Sequence, residues 1–149
     1  MVILDAIDLT ILDALKENSR MTASEISKRV NLSIPAVSER IRKMEEAEII
    51  EAYTIKMNRM KTNCRLLSFI FVNIDQTEHI EEFRQSVVQC SSVLECHHVA
   101  GEYDYLLKVL VEDTQALEHF ISNTLKNIKG VLKSNTIISL SSLKENINI

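Results

Sequence analysis

The stretch from Thr22 to Met44 reads T-A-S-E-I-S-K-R-V-N-L-S-I-P-A-V-S-E-R-I-R-K-M. Thr22 and Glu25 stand three apart ahead of an apolar periodicity. That is the pattern of a capping box, in which each side chain satisfies a backbone amide near the other. A short helix follows to Val30, with Ala23, Ile26 and Val30 inward. Asn31-Leu32-Ser33 then forms a tight turn. Ser33 caps the next helix, and Pro35 sits in its first turn, where a missing N–H costs nothing. That helix runs to about Ala47 on the stripe Val37, Ile41 and Met44. Two capped helices joined by a three-residue turn suit a helix-turn-helix.

What the second of these helices exposes decides its use. Turning about 100° per residue from the buried stripe, the opposite face carries Pro35, Glu39, Arg42, Lys43 and Glu46. Ala36 and Ser38 flank it near the amino end, and Arg40 lies nearer the buried edge. Small residues at the helix start, Ser33 among them, allow close approach to base edges, while arginines further along reach bases or phosphates. Ser24 and Lys28 on the preceding helix are placed to meet the DNA backbone. The plainer reading is a solvated charged face on a three-helix packing unit.

Upstream, Leu4, Ile7, Ile11, Leu12 and Leu15 recur at helical spacing, so a first helix spans about Asp5 to Glu17. Downstream, Ile49 to Met57 is β-branched and aromatic and suits a strand or short wing. A polar, basic stretch from Met57 to Arg65 reads as a linker. The expected domains are therefore 1–56 and 66–149, joined by 57–65.

From Leu66 the pattern becomes strand, helix, strand, strand, helix, strand. Leu66 to Ile74 is an apolar run of strand length. Thr77 caps a helix bearing Ile80, Phe83 and Val87, and Val93 to Ala100 is a second strand. Tyr103, Tyr105, Leu107, Val109 and Val111 alternate as a third. Thr114 caps a helix with Leu117, Phe120, Ile121 and Leu125 inward, Gly130 ends a turn, and Val131 to Leu143 is the last strand. This order predicts an α+β fold: a helix-turn-helix (winged-helix-like) domain followed by a ferredoxin-like βαββαβ domain with both helices on one sheet face. The other face needs a cover, for which a second copy of the chain is the economical choice.

Composition sets outer limits. The chain has 149 residues, 46% hydrophobic and 26% charged, with two glycines and one proline, which predicts regular structure rather than disorder. Its net charge of −4 argues against nucleic acid until the distribution is read. Arg20 to Arg65 holds 10 Lys/Arg against 6 Asp/Glu, whereas Leu66 onward holds 6 against 11. Phosphates respond to the local field. Three cysteines without paired spacing suggest a reducing compartment. The start at Met1-Val2-Ile3-Leu4-Asp5 lacks the basic region and long apolar run of a signal peptide. A cytoplasmic protein with no membrane partner is expected.

With those residues in hand, the chain resembles the leucine-responsive/asparagine-responsive (Lrp/AsnC) regulators. Glu25-Ile26-Ser27, Val30-Asn31-Leu32-Ser33, Ala36-Val37, Arg40-Ile41 and Met44 sit where that family's helix-turn-helix has those residue types. The opening Leu4-Asp5-Ala6-Ile7-Asp8 and Tyr53 fit as well. In the second half, Glu95-Cys96-His97, Gly101-Glu102-Tyr103-Asp104-Tyr105-Leu106-Leu107-Lys108, and Gly130-Val131 before a strand bearing Thr136 resemble the family's amino-acid-responsive domain. Departures are Glu48 and Ala52, where glycines flank the wing, and Glu102, where aspartate is common.

The resemblance implies a prokaryotic, nucleoid-associated transcriptional regulator that binds double-stranded, palindromic DNA as a homodimer or higher oligomer of dimers. It also implies an amino-acid effector held between protomers near Gly101, Glu102, Tyr103, Asp104 and Thr136. Glu102 or Asp104 would meet the ammonium group and turn amides the carboxylate. Two alternatives stay open: an enzyme similar to sirohaem decarboxylases, which share the architecture, and a ligand-sensing module that does not bind DNA.

Other constellations carry less. Cys96-His97-His98 with Cys90 and His79 suggests a metal, but alternation along a strand sends Cys96 and His98 to one side and His97 to the other. No metal, cofactor or catalytic residue is expected. Cys64 and Cys90 read as buried or half-buried thiols.

Overall fold

The computed structural model describes residues 3–146. The reading of Met1 and Val2, and the last three residues of the second expected domain, lie outside that range. The chain divides into two compact units, one running to Lys56 and one spanning Met57–Glu145.

In the first unit, three helices enclose a small core. They are α1 (Ala6–Glu17), α2 (Ala23–Val30) and α3 (Ile34–Glu46). Ile11, Ala14, Ile26, Val37 and Met44 are buried together, with Leu15, Val30 and Ile41 packed around them. The fully buried side chains of Ile11, Ile26, Val37 and Met44 each contribute roughly 1.5–3 kcal/mol by leaving water. The helix ends follow from the sequence. Thr22 and Glu25 form the capping box of α2, and the Ser33 hydroxyl accepts from the Ala36 amide. Between them Asn31 adopts the left-handed conformation, φ 52°, which asparagine tolerates better than most side chains. A second capping box, beyond the one expected, opens α1. Asp5 accepts from the Ile7 and Asp8 amides at 2.8 Å, and Asp8 accepts from the Asp5 amide.

The expected strand from Ile49 to Met57 is not formed. Residues 49–58 belong to no ladder, because among the described residues of this unit there is no second strand with which to share hydrogen bonds. Glu48, at φ 56°, turns the chain out of α3. Tyr53 donates to Glu45 at 2.7 Å.

The second unit contains strands β1 (Leu66–Ile74), β2 (Val93–His98), β3 (Tyr105–Val111) and β4 (Val131–Ile138), with helices α4 (Ile80–Val88) and α5 (Thr114–His119). All the pairings are antiparallel, and the spatial order is β2-β3-β1-β4. That is the ferredoxin-like arrangement expected from the element order. Ile70, Val72, Tyr105, Leu107 and Val109 bury one sheet face against Phe83, Val87, Leu117, Phe120 and Leu125. The opposite face presents Phe69, Phe71, Leu106, Leu110 and Ile137 in register.

Three local expectations are corrected. The cap of α5 is Asp113, whose carboxylate accepts from Ala116, rather than Thr114. Thr77 opens a short 3-10 turn ahead of α4 instead of capping it with its side chain. The last strand stops at Ile138, not Leu143. Ile138 pairs with Ser68, and Ser139 donates to Leu67, so the start of β1 leaves nothing further to pair with. Past His119 the helix widens into a π turn, Phe120–Thr124, and closes as a 3-10 turn, Leu125–Asn127.

Candidate nucleic-acid interface and effector cleft

The surface of α3 away from Val37 and Met44 is open. Ser33, Pro35, Ser38, Glu39, Arg42 and Lys43 are exposed and Ala36 is half-buried. Pro35 lies in the first turn of α3, so no N–H is lost where a groove would be approached. On α2, Ser24 and Lys28 are exposed. The structure therefore brings nine of the ten expected nucleic-acid contacts onto the accessible surfaces of two consecutive helices.

Arg40 is different. Its Nη1 donates to Asp5 Oδ2 at 2.8 Å and to Asp8 Oδ1 at 2.7 Å. Only 30% of its side chain is exposed, and 13% of that of Asp8. Both carboxylates raise the guanidinium's proton affinity, Asp8 first. Arg40 braces α3 to the start of α1. Periodicity puts it near the buried edge but names no partner, although Asp5 and Asp8 stand together at the opening of α1.

Arg42 keeps to its own helix. Nε and Nη2 donate to the Glu39 carboxylate at 2.9 and 2.7 Å, and Nη1 donates to Glu46. Lys43 Nζ stands 3.8 Å from Glu39. The hydrogen bond from Arg42 is the main reason that Glu39 is held below the usual carboxylate range.

In the second unit the expected effector residues fall on two sides of the sheet. Asp104 and Tyr105 line a cleft of about 150 Å³ together with Ile74, Asp75, Gln76, Thr77, Ile80 and His98. Asp104 is anchored there, its Oδ2 accepting from the Ile74 amide at 2.8 Å. Tyr103 instead packs on Phe71 with ring centroids 5.2 Å apart, and Lys133 Nζ lies 5.3 Å above its ring. Glu102 faces Lys133 at 3.6 Å. Thr136 pairs with Ile70 inside the ladder. Gly101 is exposed, and a Cβ built on it meets nothing within 4 Å. Its φ is not positive, so the turn itself does not need glycine there. Sequence reasoning missed Asp75, Gln76 and Thr77. They follow a strand end, and nothing in their own pattern marks a cleft.

The cysteine and histidine cluster does not converge. Cys96 pairs with Leu107 and His98 with Tyr105, while His97 opposes Leu106 on the other face. Among the described residues no group of three or more His, Cys, Asp or Glu side chains is placed to hold a metal ion. Cys64 is exposed, contrary to expectation, because it lies in the connecting stretch. Burial pushes the thiols of Cys90 and Cys96 up, which lowers their reactivity. Among the described residues no helix is long and apolar enough to cross a membrane.

A helix-turn-helix with an open second helix, followed in one chain by a sheet-based unit carrying a polar cleft, defines a ligand-binding DNA regulator. Residues 4–51 match the winged helix-turn-helix DNA-binding description and residues 67–149 the Lrp/AsnC ligand-binding domain. The chain belongs to the Lrp/AsnC family and is a DNA-binding transcriptional regulator of that type. The leucine-responsive regulatory proteins of Klebsiella pneumoniae and Escherichia coli K12 are each 33% identical over 144 residues, covering 95% of this chain and 88% of theirs. Among solved structures, a Neisseria meningitidis transcriptional regulator in complex with L-Met superposes with a TM-score of 0.94 at 34% identity, covering 99% of this chain and 96% of that one. Bacillus subtilis LrpC gives 0.86 at 28% identity, covering 96% and 99%.

Proposed function

We propose that the chain acts as a homodimer, and as higher assemblies of dimers, that reads palindromic double-stranded DNA and answers to a free amino acid. The observation that carries this reading is the open outer face of α3, with small residues at its start and basic residues behind them. Paired copies of α3 would enter successive major grooves about 34 Å apart. Ser33, Pro35, Ala36, Ser38, Glu39, Arg42 and Lys43 would line the groove, while Ser24 and Lys28 hold the backbone. Arg40 contributes by fixing the pose of α3.

A second copy would cover the sheet face bearing Phe69, Phe71, Leu106, Leu110 and Ile137, of which a lone chain leaves Ile137 exposed and the others half-buried. The effector would sit beside Asp104 and the Gly101–Tyr103 turn, completed by a neighbouring protomer, with Thr136 on β4, across β1 from that turn's strand. A carboxylate for the ammonium group and backbone amides for the carboxyl group are the required chemistry. The relative solved with L-Met supports an amino acid as the class of ligand. The ligand shifts assembly or DNA affinity only by favouring one state over another. On this reading the chain is a cytoplasmic, nucleoid-associated regulator without catalytic residues.

Selection of bound duplexes from a random pool, with and without each of the twenty amino acids, tests the reading. A recovered palindrome whose retention changes with one amino acid supports it. Retention that is indifferent to sequence rejects it.

A further inference from the structure

Glu39, Arg42 and Glu46 are joined on the outside of α3 in a way the fold does not require. The three side chains are 48%, 52% and 61% exposed, and exposed pairs of this kind add little to stability. Glu39 takes the side of the guanidinium formed by Nε and Nη2, and Glu46 takes Nη1. A guanidinium carries five N–H groups. Three are used, which leaves one on each terminal nitrogen. A pair of such donors is what the O6 and N7 acceptors of guanine bind.

Charge points the same way. Glu39, Arg42, Lys43 and Glu46 cancel, so this strip offers the phosphate backbone no net attraction. An unheld arginine would find phosphates in any sequence. A held one, flanked by carboxylates, meets repulsion from phosphate and loses less freedom when it engages a base edge.

The geometry points to Glu39 as a positioning residue for sequence discrimination: with Glu46 it holds Arg42 to read a guanine and keeps it off the phosphates. This rests on α3 being the groove-reading helix. Glu39 raises the ratio of operator to random binding without adding affinity of its own.

The test uses the full chain, wild type, Arg42→Ala and Glu39→Gln, on the selected operator and on a scrambled duplex of equal length across several salt concentrations. Operators in which each guanine is changed to adenine complete the set. Arg42→Ala is expected to lose roughly 5- to 150-fold on the operator and distinctly less on the scrambled duplex, where only the uncovered carboxylates of Glu39 and Glu46 weaken it. One guanine change should weaken the wild type and leave Arg42→Ala untouched. Glu39→Gln should bind the scrambled duplex more tightly and narrow the ratio. Equal loss by Arg42→Ala on both duplexes, with a salt slope shallower by about one, would make Arg42 a phosphate contact and overturn the inference. An unchanged ratio in Glu39→Gln would overturn it equally. A wild-type chain that selects no duplex would instead remove the groove-reading role of α3 itself, and this inference with it.

Discussion

Gly130 and His79 pack so closely that a Cβ on the glycine would collide with the histidine's Cβ and lie 3.0 Å from its Cγ. The contact joins the turn before β4 to the start of α4. It is reinforced by the Asp75 amide donating to the Gly130 carbonyl at 2.9 Å and by His79 Nδ1 standing 2.7 Å from Asp75 Oδ1.

Gly130→Ala should therefore be costly twice over, through its φ of +90° and through the collision. Strain of that kind and overpacking together come to roughly 2–4 kcal/mol. Gly101→Ala is the internal control, since its Cβ enters open space. Thermal unfolding of the two variants should separate clearly, with Gly101→Ala near the wild type. Matching melting curves would show that the turn relaxes at no cost.

Arg40→Ala tests the brace between α3 and α1. Removing the guanidinium takes the ion-pair partner from Asp8, only 13% exposed, and leaves it the Asp5 amide alone, which should lower stability. Denaturant unfolding of the variant should show it as a lower midpoint. At temperatures where the fold is intact, operator affinity should fall less than in Arg42→Ala. A variant with full stability and abolished binding would mean that Arg40 touches DNA directly.

The parts of the fold that local chemistry decides were legible. Thr22 with Glu25 and Ser33 with Pro35 mark helix starts by their own hydrogen-bonding needs, and the alternation from Tyr105 to Val111 marks a strand by burial. What escaped depends on partners distant in sequence. β4 ends where β1 begins, Arg40 finds its carboxylates 32 and 35 residues away, and residues 49–58 have no strand beside them. The exposed face of α3 was readable from periodicity. The cleft beside Asp104 was readable only in part, since Asp75 to Thr77 reach it through the turn after β1.

Acid should weaken the first unit through its two capping boxes. The Asp5 carboxyl is held below 3.8, chiefly by the Asp8 amide and then by Arg40, and that of Glu25 below 4.5, chiefly by the Thr22 amide. A depressed carboxyl stabilises the fold above its unfolded value, and that stability is lost as pH falls through the folded value. Glu25→Gln should therefore be less stable than wild type at pH 6 and converge with it as pH falls below 4.5. Denaturant midpoints across that range give the answer. A gap that stays constant would show that the charge on Glu25 is irrelevant to the cap.

The Gly101 turn offers the sharpest separation of folding from response. Nothing within the described chain crowds Gly101, and its backbone does not demand glycine. If the position is kept small, the reason lies outside the protomer, in a ligand or a neighbouring copy. Gly101→Val should accordingly melt like the wild type and bind the operator as a dimer with unchanged affinity. Its response to whichever amino acid alters the wild type should fall at least about tenfold in effector concentration, a shift of about 1.4 kcal/mol. Sedimentation with increasing effector would show whether assembly changes in step. A valine variant with the wild-type titration and the wild-type mass would place the effector elsewhere in the ligand-binding domain.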